Sequence, residues 1–213
     1  MTTPSYRLTY FDEQGRAELI RMIFRFSNVE FEDVRIQDEE WEKLRSDPRI
    51  KFQELPILEI NGKPLAQSQT IVRYLAQKFG YLPTDPDAAL PISELYSFIN
   101  SDISDKQFLG SYFDDPEAKE KYRSDFWESQ LPKRLAFIEK ILESNTSGFL
   151  IGDQMTLADF SLVDFGSRVM FDKQWIKRAE PVLEKVPKVK GYFQKRFEDP
   201  KFKAYLDRKP KQD

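Results

Sequence analysis

The chain has 213 residues with 40% hydrophobic and 14% aromatic content, which is enough to bury the core of one large domain or two modest ones. It carries 33 basic and 36 acidic residues, for a formal net charge of -3, and no basic run is interleaved with aromatic residues. Nucleic acid is therefore not expected as a partner. Cysteine and histidine are both absent, which excludes disulfides, thiol nucleophiles, histidine-based triads and the common zinc sites.

Membrane and export signals are also missing from the sequence. No apolar run approaches the roughly 20 residues of a membrane span, and the polar N-terminus lacks the apolar stretch of a signal peptide. The sequence thus predicts a cytoplasmic protein that makes no use of a membrane. No metal cofactor is expected, because the side chains that bind zinc most often are absent.

The first part of the chain shows a strand, a helix and a second strand. Tyr6 to Tyr10 alternates as a strand does, Arg16 to Ser27 carries apolar residues at mostly helical spacing, and Phe31 to Arg35 is typical of a strand again. Such a unit predicts a right-handed crossover between two parallel strands.

A hairpin and a helix follow. Pro56 to Ile60 is predicted as a strand, Asn61 with Gly62 is a strong two-residue turn signal, and Lys63 to Ala66 is predicted to return antiparallel. Ser68 then suits the N-cap of a helix that ends near Gly80. The order βαβ-ββα predicts a thioredoxin-like domain over residues 1–80.

The rest of the chain is predicted to be all-helical. Residues 81–91 contain three prolines and are predicted as a linker, while residues 92–213 carry several helix-length apolar stripes and no strand alternation. Thr156 and Asp159 have the spacing of a capping box at the start of one of these helices. The predicted fold class is therefore an α/β thioredoxin-like N-terminal domain followed by an all-α domain.

Tyr10 and Arg16 are the first candidates for chemistry, because one ends a strand and the other lies in the first turn of the next helix. That junction can place a phenol and a cation beside an anionic sulfur. A phenol that donates a hydrogen bond to a thiolate favours the ionised form of the thiol. Since the chain has no cysteine, the ligand must bring that sulfur. The alternative is that Tyr10 is only an aromatic strand residue.

Two further segments suit the binding of an extended, anionic peptide. Leu55 and Pro56 open a strand where thioredoxin-like folds commonly hold a cis proline, which turns the backbone groups of the preceding residue outward. Gln67 and Ser68 precede a helix whose free N–H groups and dipole favour a carboxylate. An ordinary trans proline and a plain N-cap serine are the alternatives.

Trp41 and Arg45 lie one helical turn apart in a polar segment. An indole N–H and a guanidinium at this spacing can jointly hold a second carboxylate. The alternative is a surface aromatic residue beside a solvated charge.

Taken together, these residues resemble the sigma class of cytosolic glutathione transferases, which includes glutathione-dependent prostaglandin D synthases and related nematode enzymes. The resemblance runs along the whole chain. It is carried by the segment from Tyr6 to Phe11, by Gln67 and Ser68, and by the capping box at Thr156.

The resemblance implies a role for each candidate residue. Tyr10 would activate the thiol of glutathione, the co-substrate, and Arg16 would tune it. The glutathione-binding residues would be Tyr10, Trp41, Arg45, Glu54, Leu55, Pro56, Gln67, Ser68 and, across a dimer interface, Asp102. The electrophile would contact Phe11 and, in the helical domain, Ser104, Ser161 and Phe165.

The chain departs from the family pattern before Leu55. The family usually has a glycine followed by a basic or amide residue there, whereas this chain has Gln53 and Glu54. We expect Glu54 to place a negative charge near the glycyl carboxylate of glutathione. Ala66 replaces a histidine that often precedes the Gln-Ser pair, and nothing in the sequence interprets that change.

The resemblance implies a homodimeric glutathione transferase that conjugates glutathione to small apolar electrophiles in detoxification, without a metal. One alternative is a prostaglandin isomerase that uses the same site. A second alternative is a non-catalytic relative with a structural, ligand-storing or crystallin-like use.

Overall fold

The structure is a computed structural model that describes residues 4–206. The chain forms two compact units, one running up to Gly80 and taking in the chain again from Ala204, and the other from Tyr81 to Lys203. The first unit is thioredoxin-like and the second is helical, so the predicted fold class is confirmed.

The first unit is built on a four-stranded sheet in the order β2-β1-β3-β4. Its strands are β1 (Tyr6–Phe11), β2 (Glu32–Ile36), β3 (Ile57–Ile60) and β4 (Lys63–Ala66). β1 pairs parallel with β2 and antiparallel with β3, which in turn pairs antiparallel with β4. Both the predicted parallel pair and the predicted hairpin are present, and the turn residues Asn61 and Gly62 have positive φ angles of 51° and 75°.

Three α-helices accompany the sheet. They are α1 (Glu18–Phe26), α2 (Asp38–Leu44) and α3 (Ser68–Lys78), and a single 3-10 turn (Gly15–Ala17) precedes α1. The prediction that Ser68 caps α3 is wrong by one residue. Gln67 occupies the cap position with a φ of 70°, and Ser68 is the first helical residue.

The two faces of the sheet differ because side chains alternate along each strand. Tyr6, Leu8 and Tyr10 of β1 lie in the core on the side of α1, where the rings of Tyr6 and Phe24 are 4.9 Å apart. Phe11 points to the opposite face and meets Trp41 of α2 at a ring distance of 5.8 Å. The end of β1 therefore presents Tyr10 and Phe11 on opposite sides of one strand.

The second unit is helical throughout its regular elements. It contains α4 (Pro86–Ser97), α5 (Asp105–Leu109), α6 (Pro116–Asp125), α7 (Leu131–Ser144), α8 (Leu157–Phe165), α9 (Ile176–Leu183) and α10 (Pro187–Glu198), and α11 (Pro200–Leu206) runs across the boundary of the two units in the sequence. A short 3-10 helix covers Gly110–Tyr112, and π-helical turns cover Phe98–Ser104, Phe126–Gln130 and Gly166–Met170. Among residues 4–206, no helix is both long and apolar enough to cross a membrane.

The start of α4 differs from the predicted linker. Asp85 caps the helix by accepting a 2.8 Å hydrogen bond from the backbone N–H of Ala88, and Pro86 takes the first helical position, where its missing N–H is not needed. Residues 86–91 are therefore helical, and Pro91 lies inside α4. Prolines favoured a linker in the sequence, but here they mark the first turns of a helix.

The predicted capping box at Thr156 is confirmed at the start of α8. Asp159 accepts from the backbone N–H and the hydroxyl of Thr156 at 3.0 and 2.7 Å, and also from the Leu150 N–H and the Tyr192 hydroxyl, each at 2.9 Å. Burial raises the pKa of Asp159 above its ordinary value, and these hydrogen bonds oppose that rise. The box thus joins α8 to α10 inside the helical unit.

Candidate active site

Tyr10 and Arg16 meet where β1 passes into the turn before α1. The phenolic oxygen of Tyr10 accepts a hydrogen bond of 3.1 Å from the backbone N–H of Arg16. The tyrosine is only 6% exposed, whereas the Arg16 side chain is open to solvent. The backbone N–H occupies an acceptor position of the hydroxyl, so the phenolic proton is left to donate to another partner.

Gly15 makes this approach possible, and it was not singled out in the sequence. Its φ is positive at 42°, and a Cβ built on it would lie 2.5 Å from the Tyr10 hydroxyl and 2.7 Å from Cε1 of the same ring. No side chain fits at that distance. Glycine is thus required here both by the backbone conformation and by the close approach of the phenol.

Arg21 is a second residue that the sequence did not reveal. It is 2% exposed, and its guanidinium donates to the backbone carbonyls of Glu13 and Gln14 at 2.8 and 3.3 Å. The same group pairs with Asp33 at 3.0 Å and lies 5.9 Å from the centre of the Tyr10 ring. Arg21 therefore fixes the turn that carries Gly15 and the N–H donor.

The environment of Tyr10 keeps its hydroxyl protonated. Burial raises the pKa of the Tyr10 phenol above its ordinary value, the Arg16 N–H and guanidinium act in the opposite direction, and Glu13 raises it further. The phenol is consequently neutral near pH 7 and can act as a hydrogen-bond donor. A neutral donor suits the stabilisation of a nearby anion.

Glu54 and Gln67 are in direct contact. The side-chain amide of Gln67 donates to the Glu54 carboxylate at 3.2 Å, beside the first turn of α3. Ser68, the first helical residue, is half-buried. The sequence led us to expect Glu54 near the glycyl carboxylate of glutathione; in the structure its carboxylate lies on Gln67.

The segment before β3 has two unusual backbone features. The Leu55-Pro56 peptide bond is cis, as is common in thioredoxin-like folds. Gln53 has a φ of 52°, in the left-handed region that favours glycine. The position where the family usually has glycine thus keeps a glycine-like conformation despite its side chain.

Trp41 lies in the middle of α2, and Arg45 caps the end of that helix. Arg45 follows the last helical residue, and its backbone N–H donates to the Trp41 carbonyl at 2.9 Å, so the two are one turn apart as predicted. Trp41 is half-buried against Phe11, while Arg45 is exposed and pairs with Glu42 at 3.4 Å. An incoming carboxylate would compete with Glu42 for this guanidinium.

A cleft of about 360 Å³ opens at the carboxyl ends of β1 and β2. Its lining is acidic apart from two apolar side chains and one amide, and consists of Phe11, Asp12, Glu13, Ile36, Gln37 and Asp38. Arg35 pairs with Asp12 at 3.1 Å and so offsets part of this charge. Among residues 4–206, no cluster of histidine or acidic side chains is arranged to hold a metal ion.

The remaining candidates lie in the helical unit. Asp102 is exposed in the π-helical turn before α5, and Ser104, two residues on, is buried. Ser161 and Phe165 lie in α8, every residue of which is buried. The expected contacts of Ser104, Ser161 and Phe165 with an electrophile, and of Asp102 with glutathione, stay predictions.

A thioredoxin-like unit with a tyrosine at the end of β1 and a cis proline before β3, followed by an all-helical unit, is the two-domain arrangement of glutathione-dependent transferases. Residues 6–77 match the family described as "Glutathione S-transferase, N-terminal domain", and residues 101–209 match "Glutathione S-transferase, C-terminal domain". The chain belongs to the glutathione S-transferase family and is an enzyme of that family.

Several similar proteins come from nematodes. Glutathione S-transferase 4 of Caenorhabditis elegans is 36% identical over 201 residues, covering 89% of this chain and 95% of the relative. The structure of a Nu-class glutathione transferase from Haemonchus contortus aligns with a TM-score of 0.79 at 28% identity and covers 99% of each chain. The structure of prostaglandin synthase D of Nilaparvata lugens aligns with a TM-score of 0.79 at 25% identity, over 97% of this chain and 99% of the other.

Proposed function

We propose that Tyr10 activates the thiol of glutathione and that the enzyme conjugates it to small apolar electrophiles, in the cytoplasm and as part of detoxification. The observation that carries this proposal is the buried Tyr10 hydroxyl, which accepts from the Arg16 N–H and keeps its own proton. Such a donor stabilises a thiolate more than a thiol. Membership of the glutathione S-transferase family implies that glutathione is the ligand that brings the sulfur.

The chemistry needs a modest shift of the thiol pKa. A thiol of ordinary pKa, about 8.5, is only a few per cent ionised at neutral pH. Lowering that pKa by about two units requires roughly 2.7 kcal/mol of differential stabilisation. A charge-assisted hydrogen bond from Tyr10, with help from the Arg16 cation, is of this size. The thiolate sulfur then forms a bond to the electrophilic carbon, with the two reactants held close together. An aromatic halide loses its halide ion in this step, whereas an α,β-unsaturated carbonyl compound adds the sulfur at its β-carbon and takes up a proton at its α-carbon.

The other candidate residues would form the rest of the glutathione site. The γ-glutamyl carboxylate would bind at Gln67 and Ser68, where the first N–H groups of α3 are free of intrahelical partners. Leu55 and Pro56 would clamp the cysteinyl unit through the Leu55 backbone, and Trp41 with Arg45 would hold the glycyl carboxylate. The contacts of Phe11, Ser104, Ser161 and Phe165 with the electrophile belong to the same proposal.

A prostaglandin isomerase is the second candidate, since one of the aligned structures is that of prostaglandin synthase D of Nilaparvata lugens. The same thiolate would attack one endoperoxide oxygen, which forms an S–O bond and breaks the O–O bond, and the other oxygen would take a proton. Loss of the proton on the carbon that bears the S-bound oxygen would then form the ketone and release the thiolate. That likeness also supports membership of the sigma class, whereas the aligned Haemonchus structure is named Nu-class. The class is therefore part of the proposal.

Asp102 leads to a proposal about assembly. It is exposed and has no ion-pair partner within residues 4–206, which leaves it available to the γ-glutamyl amine of a neighbouring subunit's ligand. The active species would then be a twofold dimer. Analytical ultracentrifugation at assay concentration should show a dimer, and a fully active monomer would contradict the proposal.

Steady-state kinetics over a panel of electrophiles tests the function. The panel should contain neutral aromatic halides, α,β-unsaturated carbonyl compounds and a prostaglandin endoperoxide. We expect glutathione-dependent turnover of the neutral electrophiles at rates well above the uncatalysed reaction. Turnover of the endoperoxide alone would favour the isomerase, and no turnover of any panel member would contradict both candidates.

A further inference from the structure

The carboxylate of Glu13 borders the same small space as the hydroxyl of Tyr10. A Cβ built on Gly15 would lie 2.5 Å from the Tyr10 hydroxyl and 2.9 Å from Oε1 of Glu13, so both oxygens face one point beside Gly15. The Glu13 side chain is exposed and forms no ion pair within residues 4–206. Its negative charge therefore lies beside the phenol that is proposed to hold the thiolate.

The cations nearest to this carboxylate in the fold are already bound to other acids. Arg35 pairs with Asp12 and with Asp33, each at 3.1 Å. Arg21 pairs with Asp33 as well, at 3.0 Å. Neither guanidinium is therefore left to neutralise Glu13.

Arg16 is the one cation of the turn between β1 and α1, and its side chain is open to solvent. Burial is the main reason why the pKa of the Tyr10 phenol is raised; the charge of Glu13 raises that pKa further, and the charge of Arg16 opposes it more weakly. At the phenol, the carboxylate thus outweighs the guanidinium. The local charge beside the Tyr10 hydroxyl is negative.

The same sign of charge continues into the cleft beside Phe11, the residue of this unit that is proposed to contact the electrophile. Besides Glu13, the cleft is lined by the carboxylates of Asp12 and Asp38 and by no cation. The first turn of α2, residues 38–40, is acidic throughout, and the helix dipole offsets only part of that charge. A negative charge on a substrate would meet repulsion on this side of the site.

The reaction brings the electrophile close to Glu13. A reacting carbon must approach the sulfur to about 3–3.5 Å, and in the proposed function the sulfur lies at the Tyr10 hydroxyl. A charged substituent on the electrophile is then within a few ångströms of the Glu13 carboxylate, where Coulomb energies are large enough to change rates.

We propose that Glu13 is a specificity-determining residue, which disfavours anionic electrophiles and favours cationic ones over neutral ones of the same shape. The inference rests on the proposed function and deepens it, since it names the charge of the preferred substrates. The effect is electrostatic, so it should weaken as salt screens the exposed carboxylate.

Three electrophiles that differ only in charge test the proposal. They are 4-chloro-3,5-dinitrobenzoate, its neutral N-methylamide and an amide of the same acid that carries a trimethylammonioethyl group. In each, the sulfur of glutathione forms a bond to the ring carbon and chloride leaves. The kcat/KM of each compound at saturating glutathione is divided by the rate constant of its uncatalysed reaction, which removes differences in intrinsic reactivity.

At low salt we expect the anionic compound to lie about three- to tenfold below the neutral one, and the cationic compound to lie above it. Glu13→Gln should raise the anionic-to-neutral ratio several-fold and lower the cationic-to-neutral ratio. These ratios cancel any change that affects all three compounds alike, such as better donation by Tyr10. Glu30→Gln, which makes the same change of net charge at an exposed position outside the turn, should leave both ratios as in the wild type.

Binding of the three preformed glutathione conjugates gives a readout that needs no turnover. By calorimetric titration, the anionic conjugate should bind most weakly to the wild type, and the differences should shrink in Glu13→Gln. Turnover with the same ratios in wild type and Glu13→Gln would overturn the inference and leave the proposed function intact. Conjugate affinities that keep the same order in Glu13→Gln would also overturn it, whereas lack of turnover with the expected order of affinities would contradict the proposed function alone.

Discussion

The hydroxyl of Tyr10 and the backbone N–H of Arg16 lie 3.1 Å apart across the turn that joins β1 to α1. A backbone donor cannot rotate away as a side chain can, so the orientation of the phenol is set by the fold. Gly15 and Arg21 hold this turn in place, one by leaving space and the other by binding two of its carbonyls. The geometry of the proposed donor therefore depends on residues that need not touch the substrate.

Tyr10→Phe should remove the donor to the thiolate and leave the packing of the ring intact. We expect turnover near neutral pH to fall by about one to two orders of magnitude, at 1.36 kcal/mol per decade. The pH profile should move to higher pH, because the bound thiol loses the bond that lowers its pKa. Ultraviolet absorbance of the thiolate in the binary complex measures this directly.

Tyr112→Phe is the matched control, since Tyr112 is 76% exposed and lies in the helical unit. It should leave both the pH profile and turnover unchanged. Thiolate absorbance that is the same in Tyr10→Phe and wild type would show that Tyr10 is not the activating group.

Gly15→Ala should displace the phenol, because the new Cβ would lie 2.5 Å from its oxygen and the backbone has a positive φ. We expect the unfolding free energy to fall by about 1 kcal/mol or more and the thiol pKa in the binary complex to rise. Gly191→Ala is the control, because Gly191 is helical and a Cβ there meets no atom within 4 Å. The Gly191→Ala variant should be as stable as the wild type or slightly more stable. A Gly15→Ala enzyme that is as stable and as active as the wild type would refute the argument that Tyr10 requires a glycine beside it.

Glu13→Gln should make Tyr10 a better donor to sulfur. Glu13 raises the pKa of the Tyr10 phenol both by its charge and as a hydrogen-bond partner, so its carboxylate competes with the thiolate for the phenolic proton. We expect a gain in kcat/KM of about two- to fivefold at low salt, with the gain shrinking as salt screens the exposed charge. Glu30→Gln makes the same change of net charge away from the turn and should have no effect. Lower activity in Glu13→Gln would instead indicate that Glu13 supports catalysis.

Glu54→Gln should tighten glutathione binding. The Glu54 carboxylate occupies an N–H of Gln67 that a ligand carboxylate would use, and it also repels that carboxylate. We expect a gain of a fraction of a kcal/mol up to about one, which should diminish at high salt because both groups are exposed. Calorimetric titration at two salt concentrations measures it, with Glu143→Gln of α7 as the control. Unchanged or weaker affinity would mean that Gln67 does not receive the ligand.

Local signals in the sequence were sufficient for much of the first unit. Alternation predicted β1, the Asn61-Gly62 pair predicted the hairpin, and the chain order predicted the parallel β1–β2 pair. The cis bond at Pro56 was expected from its place in a thioredoxin-like fold. These features depend on neighbouring residues or on a known topology, and both can be recognised in a sequence.

Features that depend on contacts between distant residues could not be predicted. In the sequence, Arg21 is only a charged residue on the same helix as Glu18. The folded turn is needed to show that its guanidinium binds the backbone carbonyls of two earlier residues. The contact of Glu54 with Gln67 joins residues 13 positions apart around the hairpin. The structure around Pro86 was ambiguous for another reason, because proline is common both in linkers and in the first turn of a helix.

The chain from Ala204 onward belongs to the first unit, and Tyr205 there donates its hydroxyl to the buried carboxylate of Glu18. These two residues are 187 positions apart. During synthesis on the ribosome, Glu18 therefore emerges long before its phenolic partner exists, whereas Arg21, which pairs with Glu18 at 3.3 Å, emerges with it. Of these two units, the one that begins earlier in translation is therefore completed later.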